Sequence, residues 1–197
     1  MHQSKVSILG IVITFLLLIS FMATSVPVLA ATKEQIEQQR ADIQKMANET
    51  LERLYTTQPS AKKAIQKAAG YAVFSNFGMK ILFAVGGSCK GIAVINKSGQ
   101  TTFMKMVEVQ AGFGMGVKKF RLIWVFENQS DLDSFINSGW EFGGQATAAM
   151  QKDGEGESFA GAVSLSPGIR LYQLTDNGLA MELTAKGTKY YKDDNLN

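Results

Sequence analysis

The segment from Ala68 to Asn96 decides the fold, and it reads AAGYAVFSNFGMKILFAVGGSCKGIAVIN. It contains two apolar runs, Ile81 to Val85 and Ile92 to Ile95, with glycines between them. Both runs are too short to span a membrane, and they have the length of strands that are covered on both faces. Helical sequence stops at Gly70 and β-rich sequence follows, so we expect helices before this point and a sheet after it.

The segment from Lys33 to Thr57 predicts an amphipathic helix, because its apolar residues recur at helical spacing. They are Ile36, Ile43, Ala47 and Leu54, with Met46 and Leu51 on an adjoining stripe. Four basic and five acidic side chains give this segment a net charge of −1. A helix that lies on a membrane has a basic polar face, so the charges favour a helix that packs on the sheet.

A second helix is expected after Pro59, which ends the first one. Ser60 is the expected N-cap, and the sequence AKKAIQKAA runs from there to Gly70, which suits a C-terminal cap. A third, short helix is predicted near residues 130 to 138, with Ser130 as its cap and Gly139 as its end. Its packing face consists of Leu132, Phe135 and Ile136.

The remaining sequence predicts a series of antiparallel strands, because turn sequences separate its β-rich runs. The turns are Asn96–Gly99, Ser166–Gly168 and Asp176–Gly178. The strands are expected at Thr101–Val107, Leu122–Phe126, Trp140–Ala149, Phe159–Leu165, Ile169–Leu174, Leu179–Thr184 and Lys189–Lys192. The tail KDDNLN, residues 192–197, is polar and is expected to fray.

These elements predict an α+β fold in residues 31–197, helical over 33–69 and β-rich over 70–192. The N-terminal helices would pack on a strongly curved, mainly antiparallel sheet of roughly eight or more short, Gly-rich strands. Within Val109–Val117, Gly112, Gly114 and Gly116 leave one strand face almost bare. Such a face suits the close approach of a helix, a second sheet or a ligand, or a bend in the sheet.

Residues 1–30 have the pattern of a signal peptide. Lys5 precedes an apolar run from Val6 to Ala23, and the sequence SVPVLA then places small residues where a signal peptidase cleaves. We expect cleavage after Ala30 and a periplasmic or extracellular protein. A retained N-terminal membrane anchor is the alternative, because about 18 apolar residues is the lower limit for a spanning helix.

Composition excludes several classes of function. Removal of residues 1–30 leaves 20 − 1 = 19 basic and 17 acidic side chains, a net charge of +2, which is too small for a nucleic-acid-binding protein. The single histidine, His2, is lost with the leader, so Ser-His, Cys-His and imidazole-metal sites are excluded. Cys89 has no disulfide partner. We therefore predict no enzyme activity, no catalytic residue, no metal and no cofactor.

The segment from Ala69 onward resembles the opening of the SYLF domain, whose pattern is A-x-G-[YI]-A-[VI]-F followed by a lysine, a Gly-Gly pair and G-[IV]-A-V. The chain departs from the family at Ser75, where members have proline, and at Ile81–Phe83, where they have Gly-Phe-Gly, so the resemblance favours a shared fold over a shared ligand. It covers roughly Leu51 to the C-terminus and implies phospholipid binding without catalysis, with actin association in eukaryotic members that carry extra domains. The matching residues are Ala69, Gly70, Tyr71, Ala72, Val73, Phe74, Lys80, Gly86, Gly87 and Gly91.

Two functions stay open at this point. In the first, basic side chains at strand ends bind the phosphates of an anionic phospholipid or membrane surface. In the second, the chain is a structural module of the cell envelope that binds a protein partner and no lipid. The resemblance favours the first. The candidate lipid-binding residues are Lys80, Lys118, Lys119 and Arg121, expected in water at a hairpin end or strand ends, and then Lys62, Lys63 and Lys67, whose alternative is an ordinary solvated helix face.

Overall fold

The structure, a computed structural model, describes residues 32–75, 88–108, 120–142, 161–180 and 188–197. The chain from Lys33 to Asn197 forms one compact unit. Its three described helices are α1 (Lys33–Thr57), α2 (Pro59–Lys67) and α3 (Gln129–Asn137). Its described strands are β1 (Gly70–Ser75), β2 (Ser88–Ile95), β3 (Thr101–Glu108), β4 (Arg121–Phe126), β5 (Trp140–Phe142), β6 (Val163–Ser166), β7 (Ile169–Thr175), β8 (Gly178–Leu179) and β9 (Thr188–Lys192).

The described strands form one sheet in the order β5-β9-β3-β2-β1-β4-β7-β6, and β8 pairs with β7. Every pairing is antiparallel. The central strand β1 begins in the segment that decides the fold, and it pairs with β2 on one side and β4 on the other. The predicted α+β fold, with helices on a curled antiparallel sheet of many strands, is confirmed.

The sheet has a buried core on each of its two faces. On one face, α1 and α2 bury Ile43, Leu54 and Ile65 against Val73 and Ile123. The periodicity of α1 therefore identified the packing face, because its buried apolar residues are among those predicted from spacing, and Thr50 is buried beside them. Burying such side chains stabilises the fold by about 1.5–3 kcal/mol each.

The other face of the sheet encloses an aromatic core. Trp124 is its centre, with ring centroids 5.0 Å from Tyr190, 5.4 Å from Phe135 and 5.9 Å from Trp140. Because Trp140 lies on β5, at one end of the sheet order, and Trp124 lies on β4, far along that order, the contact between their rings shows that the sheet curls. The helix α3 packs into this core through Leu132, Phe135 and Ile136, as predicted.

Three predictions about helix ends were wrong. The helix α2 begins at Pro59 with Gln58 as its N-cap, so Ser60 is not the cap; proline suits the first helical position because its missing N–H would have no partner there. The helix α3 begins after Asn128 and contains Ser130. Gly70 does not cap α2 but begins β1, where an added Cβ would meet the Val94 carbonyl oxygen and the Leu132 side chain.

The C-terminal tail is ordered against the sheet, which contradicts the expectation that it frays. Leu196 is 1% exposed. The Asn197 carboxamide accepts a hydrogen bond from the Phe103 N–H at 2.9 Å and donates one to the Phe103 carbonyl at 2.8 Å. The carboxamide thus extends the pairing of β3 by one residue beyond Met104, where its pairing with β9 ends. A polar hexapeptide looks frayed in sequence because these partners lie 94 residues away.

Several predicted elements lie outside the described residues. They are the leader, the apolar run Ile81–Val85, the glycine-rich segment Val109–Val117, and the predicted strands beyond Phe142, before Gly161 and after Ala180. None of the three described helices contains an apolar stretch long enough to cross a membrane.

Burial of Tyr190 predicts a loss of stability at alkaline pH. Burial raises the pKa of Tyr190 far above its ordinary value of 10.0, and hydrogen bonds with Thr188 and Trp124 oppose the shift only in part. Above about pH 10 the unfolded chain alone loses this proton, so stability that is fully present below pH 10 falls as the pH rises, by up to about 1.4 kcal/mol per pH unit.

Urea unfolding at several alkaline pH values measures this slope, and Tyr190→Phe is the matched variant. Burial also raises the pKa values of Tyr55, Tyr71 and Tyr172, so a smaller slope is expected to remain in the variant. An identical slope in Tyr190→Phe and the wild type would show that Tyr190 does not cause the effect.

Candidate functional site

The exposed face of α2 carries a row of lysines. Ala61 and Ile65 are buried against the sheet, and this fixes the opposite face of the helix toward solvent. Lys62, Lys63 and Lys67 lie on that face and are exposed. All three were candidate lipid-binding residues from the sequence, and the structure brings them together on one nine-residue helix.

A fourth lysine lies at the C-terminal end of the same helix. The Asn96 side-chain amide donates hydrogen bonds to the carbonyls of Ile65 at 2.7 Å and Ala68 at 2.9 Å, and the Asn96 N–H donates to Ala69 at 2.9 Å. These bonds give hydrogen-bond donors to the carbonyls at the C-terminal end of α2, where few helical N–H groups remain to serve them. They also hold the β2–β3 turn on α2, so the next residue, the exposed Lys97, lies at this end. We call Lys62, Lys63, Lys67 and Lys97 the basic surface.

No acidic side chain neutralises the basic surface within the part of the chain that the structure describes. None of the recorded ion pairs contains one of its lysines. The absence of acidic partners has a sequence feature behind it that the predictions above did not use. The whole segment from Arg53 to Val107 lacks Asp and Glu. Its eight basic residues are Arg53, Lys62, Lys63, Lys67, Lys80, Lys90, Lys97 and Lys105.

Two tyrosines border the basic surface. The Lys62 ammonium lies 5.9 Å from the centroid of the Tyr55 ring, at the outer limit for a cation–π contact. Burial raises the pKa of Tyr55, and the nearby Tyr71 raises it further. Both rings are half-buried, and tyrosines that are apolar at one end and wet at the other suit a membrane–water interface.

Lys90 and Lys105, from the same acid-free segment, are neutralised by a residue from the tail. Asp193 is 0% exposed, and its carboxylate lies 2.8 Å from the Lys105 Nζ and 3.6 Å from the Lys90 Nζ. Lys90 also donates a hydrogen bond to Gln39 on α1 at 2.7 Å. These lysines therefore hold the tail against β2, β3 and α1, which distinguishes them from the basic surface.

Arg121 is half-buried, whereas the sequence placed it in water. Burial lowers the pKa of Arg121, the neighbouring Arg53 lowers it further, and Asp176 and Glu49 oppose these effects. Ile123 and Val125, which share its strand face, pack against the helices, and this explains why Arg121 is withdrawn from solvent. The other candidates Lys80, Lys118 and Lys119, and the glycines Gly112, Gly114 and Gly116, lie outside the described residues.

A groove of about 550 Å³ lies between α1 and the start of β3. Arg40 in this groove donates from Nε to the Leu196 carbonyl at 2.9 Å, and its Nη1 pairs with Glu37 at 2.9 Å. The arginine therefore ties the tail to α1. Across the described ranges, His, Cys, Asp and Glu side chains do not assemble in groups of three or more that could hold a metal ion.

The chain is 33% identical over 157 residues to Beta cell expansion factor A from Aeromonas veronii. The match covers 80% of this chain and 58% of the relative, so the chain spans little more than half of the protein it resembles. No family model matches the chain, and the resemblance to the SYLF domain stays a prediction.

Proposed function

We propose that this chain is an exported, non-catalytic domain of the cell envelope that binds anionic phospholipid through the basic surface of α2. The observation that carries the proposal is that four exposed lysines lie on one helix and its adjoining turn without an acidic partner among the described residues. Charges that serve only solubility are usually mixed in sign, as they are on α1.

The arrangement suits a flat anionic surface better than a single buried ligand. The lysines stand on the outside of a short helix, where their flexible side chains can each reach a different phosphate. Near an anionic bilayer each lysine contributes on the order of 1 kcal/mol. Tyr55 and Tyr71 lie beside them, where their rings would meet the headgroup region as α2 approaches.

Neutralising the basic surface should weaken binding to anionic vesicles. The test compares the predicted mature chain, which begins at Ala31, with a Lys62→Ala, Lys63→Ala, Lys67→Ala variant in flotation with phosphatidylglycerol-containing and purely phosphatidylcholine vesicles. We expect the variant to bind the anionic vesicles at least about tenfold more weakly. The difference should shrink as salt rises, because exposed charges are screened over about 10 Å at 0.1 M.

The control variant removes three exposed lysines elsewhere, Lys33, Lys45 and Lys189, and so has the same net charge. A Lys118→Ala, Lys119→Ala variant tests the rival site that the sequence suggested. If the α2 variant keeps wild-type affinity while the Lys118, Lys119 variant loses it, the site proposed here is wrong. If the wild type binds neither kind of vesicle, lipid binding is wrong and an envelope protein module remains.

A further inference from the structure

The tip of the β7–β8 hairpin carries an Asn-Gly pair, Asn177–Gly178. Both residues of the pair lie in or next to the turn, and Asn177 is exposed. Gly178 has φ +106, and an added Cβ there would meet nothing within 4 Å. Asn177 donates its backbone N–H to Thr175 Oγ1 at 3.3 Å, and within the described residues its side-chain carboxamide has no hydrogen-bond partner.

We infer that Asn177 is a site of spontaneous modification, at which its carboxamide is converted to a carboxylate. The Gly178 backbone nitrogen attacks the Asn177 side-chain carbonyl carbon, and a C–N bond forms to close a five-membered succinimide. The bond to the side-chain nitrogen breaks, and this nitrogen takes the Gly178 N–H proton and leaves as ammonia. Water then opens the ring to aspartate or isoaspartate. Glycine favours the attack because no side chain obstructs its nitrogen.

The closed hairpin restrains this reaction. The Ala180 N–H donates to the Gln173 carbonyl at 2.8 Å, and hydrogen bonds between paired residues alternate along antiparallel strands. The pair of Gly178 with Thr175 lies two positions closer to the turn, so it is a hydrogen-bonded pair as well. The Gly178 nitrogen that would attack is therefore held in a hydrogen bond while the hairpin is closed. The strand β8 has only two residues and lies off the main strand order, so local opening costs little.

Arg53 on α1 opposes this opening. Its Nη2 donates to the Thr175 carbonyl at 3.1 Å and to the Asp176 carbonyl at 3.2 Å, so it holds the turn from the outside. Hydrogen bonds from a charged donor are stronger than those from a neutral donor, so these two bonds favour the closed hairpin. The modification would place a second carboxylate beside Asp176, which already interacts with Arg121, and would so reduce the positive charge around Arg53 and Arg121.

The test incubates the full chain in mildly alkaline buffer and follows each asparagine by peptide mapping, with isoaspartyl methylation as the second readout. Asn137 and Asn195 are internal controls, because both are exposed but precede Ser138 and Leu196. We expect Asn177 to convert first. In Arg53→Ala its conversion should be about tenfold faster, because the hairpin opens more often.

Arg53→Lys keeps the positive charge but lacks the guanidinium group, and Asn177 should convert in it at an intermediate rate. This variant also tests the restraint if Arg53→Ala does not fold. Asn177→Gln should abolish the modification at this position. If Asn177 converts no faster than Asn137, Asn177 is not a preferred site of modification and the inference is wrong. If Asn177 converts at the same rate in the wild type and in both Arg53 variants, Arg53 does not restrain the reaction.

Discussion

Replacing Gly91 with valine should cost more than about 3 kcal/mol of the free energy of unfolding, beyond the usual range for an overpacked core. Gly91 lies inside β2, paired with Phe74 on β1. An added Cβ would meet the Val73 carbonyl oxygen and two atoms of the Phe74 ring. The backbone oxygen belongs to the central strand, and Phe74 is fully buried among aromatic rings, so neither neighbour can move away. A domain stabilised by about 5–15 kcal/mol would lose much of its stability.

Gly99→Ala is the matched control for this prediction. Gly99 has φ +71, so alanine there is strained, but its Cβ would meet nothing within 4 Å. The expected cost is only about 1–2 kcal/mol, the price of a left-handed conformation. Urea unfolding followed by far-ultraviolet circular dichroism measures both variants. Similar stabilities for Gly91→Val and Gly99→Ala would show that the space around Gly91 can relax.

Replacing Asp193 with alanine should cost about 3–5 kcal/mol, the range for removing one partner of a buried ion pair. Lys90 and Lys105 are directly opposite each other on β2 and β3, so without Asp193 two like charges face each other. The variant also loses the hydrogen bond that Asp193 accepts from the Asn195 N–H at 3.2 Å. The lysine side chains are 24% and 21% exposed and can turn toward water, which favours the lower end of this range.

Asp194→Ala, at the exposed neighbouring position, is the control and should change stability by less than about 0.5 kcal/mol. Hydrogen exchange adds a local readout, because the Phe103 N–H depends on the docked tail through Asn197. We expect this amide to exchange faster in Asp193→Ala than in Asp194→Ala. Equal stability and equal exchange in the two variants would contradict the role assigned to Asp193.

The sequence was sufficient to predict the elements because their signals are local. The apolar spacing of α1, the short apolar run in β4 and the turn at Asn177–Gly178 each depend on neighbours within a few residues. Gly91 shows the limit of prediction from local sequence signals. In sequence it looked like a break between strands, and its actual role depends on how closely β1 approaches β2.

The site was predictable only in part for the same reason. The lysines of α2 could be named because a helix places them on one face. Lys97 joins them only through the hydrogen bonds of Asn96 to residues about 30 positions earlier. Asp193 reaches Lys90 and Lys105 across an even longer separation, so sequence could not distinguish the neutralised lysines from the others. Arg121 was assigned to solvent because its burial depends on α1, which is remote in sequence.

The aromatic core has a consequence for spectroscopy. The chain has two tryptophans, Trp124 and Trp140, and both indoles lie in this core with centroids 5.9 Å apart. At this separation their electronic transitions couple, so the near-ultraviolet dichroism of the folded chain should contain a tryptophan pair signal that reports the curl of the sheet. Neither indole is on α2. Tryptophan fluorescence should therefore change when the sheet opens. It should stay unchanged when α2 contacts a vesicle.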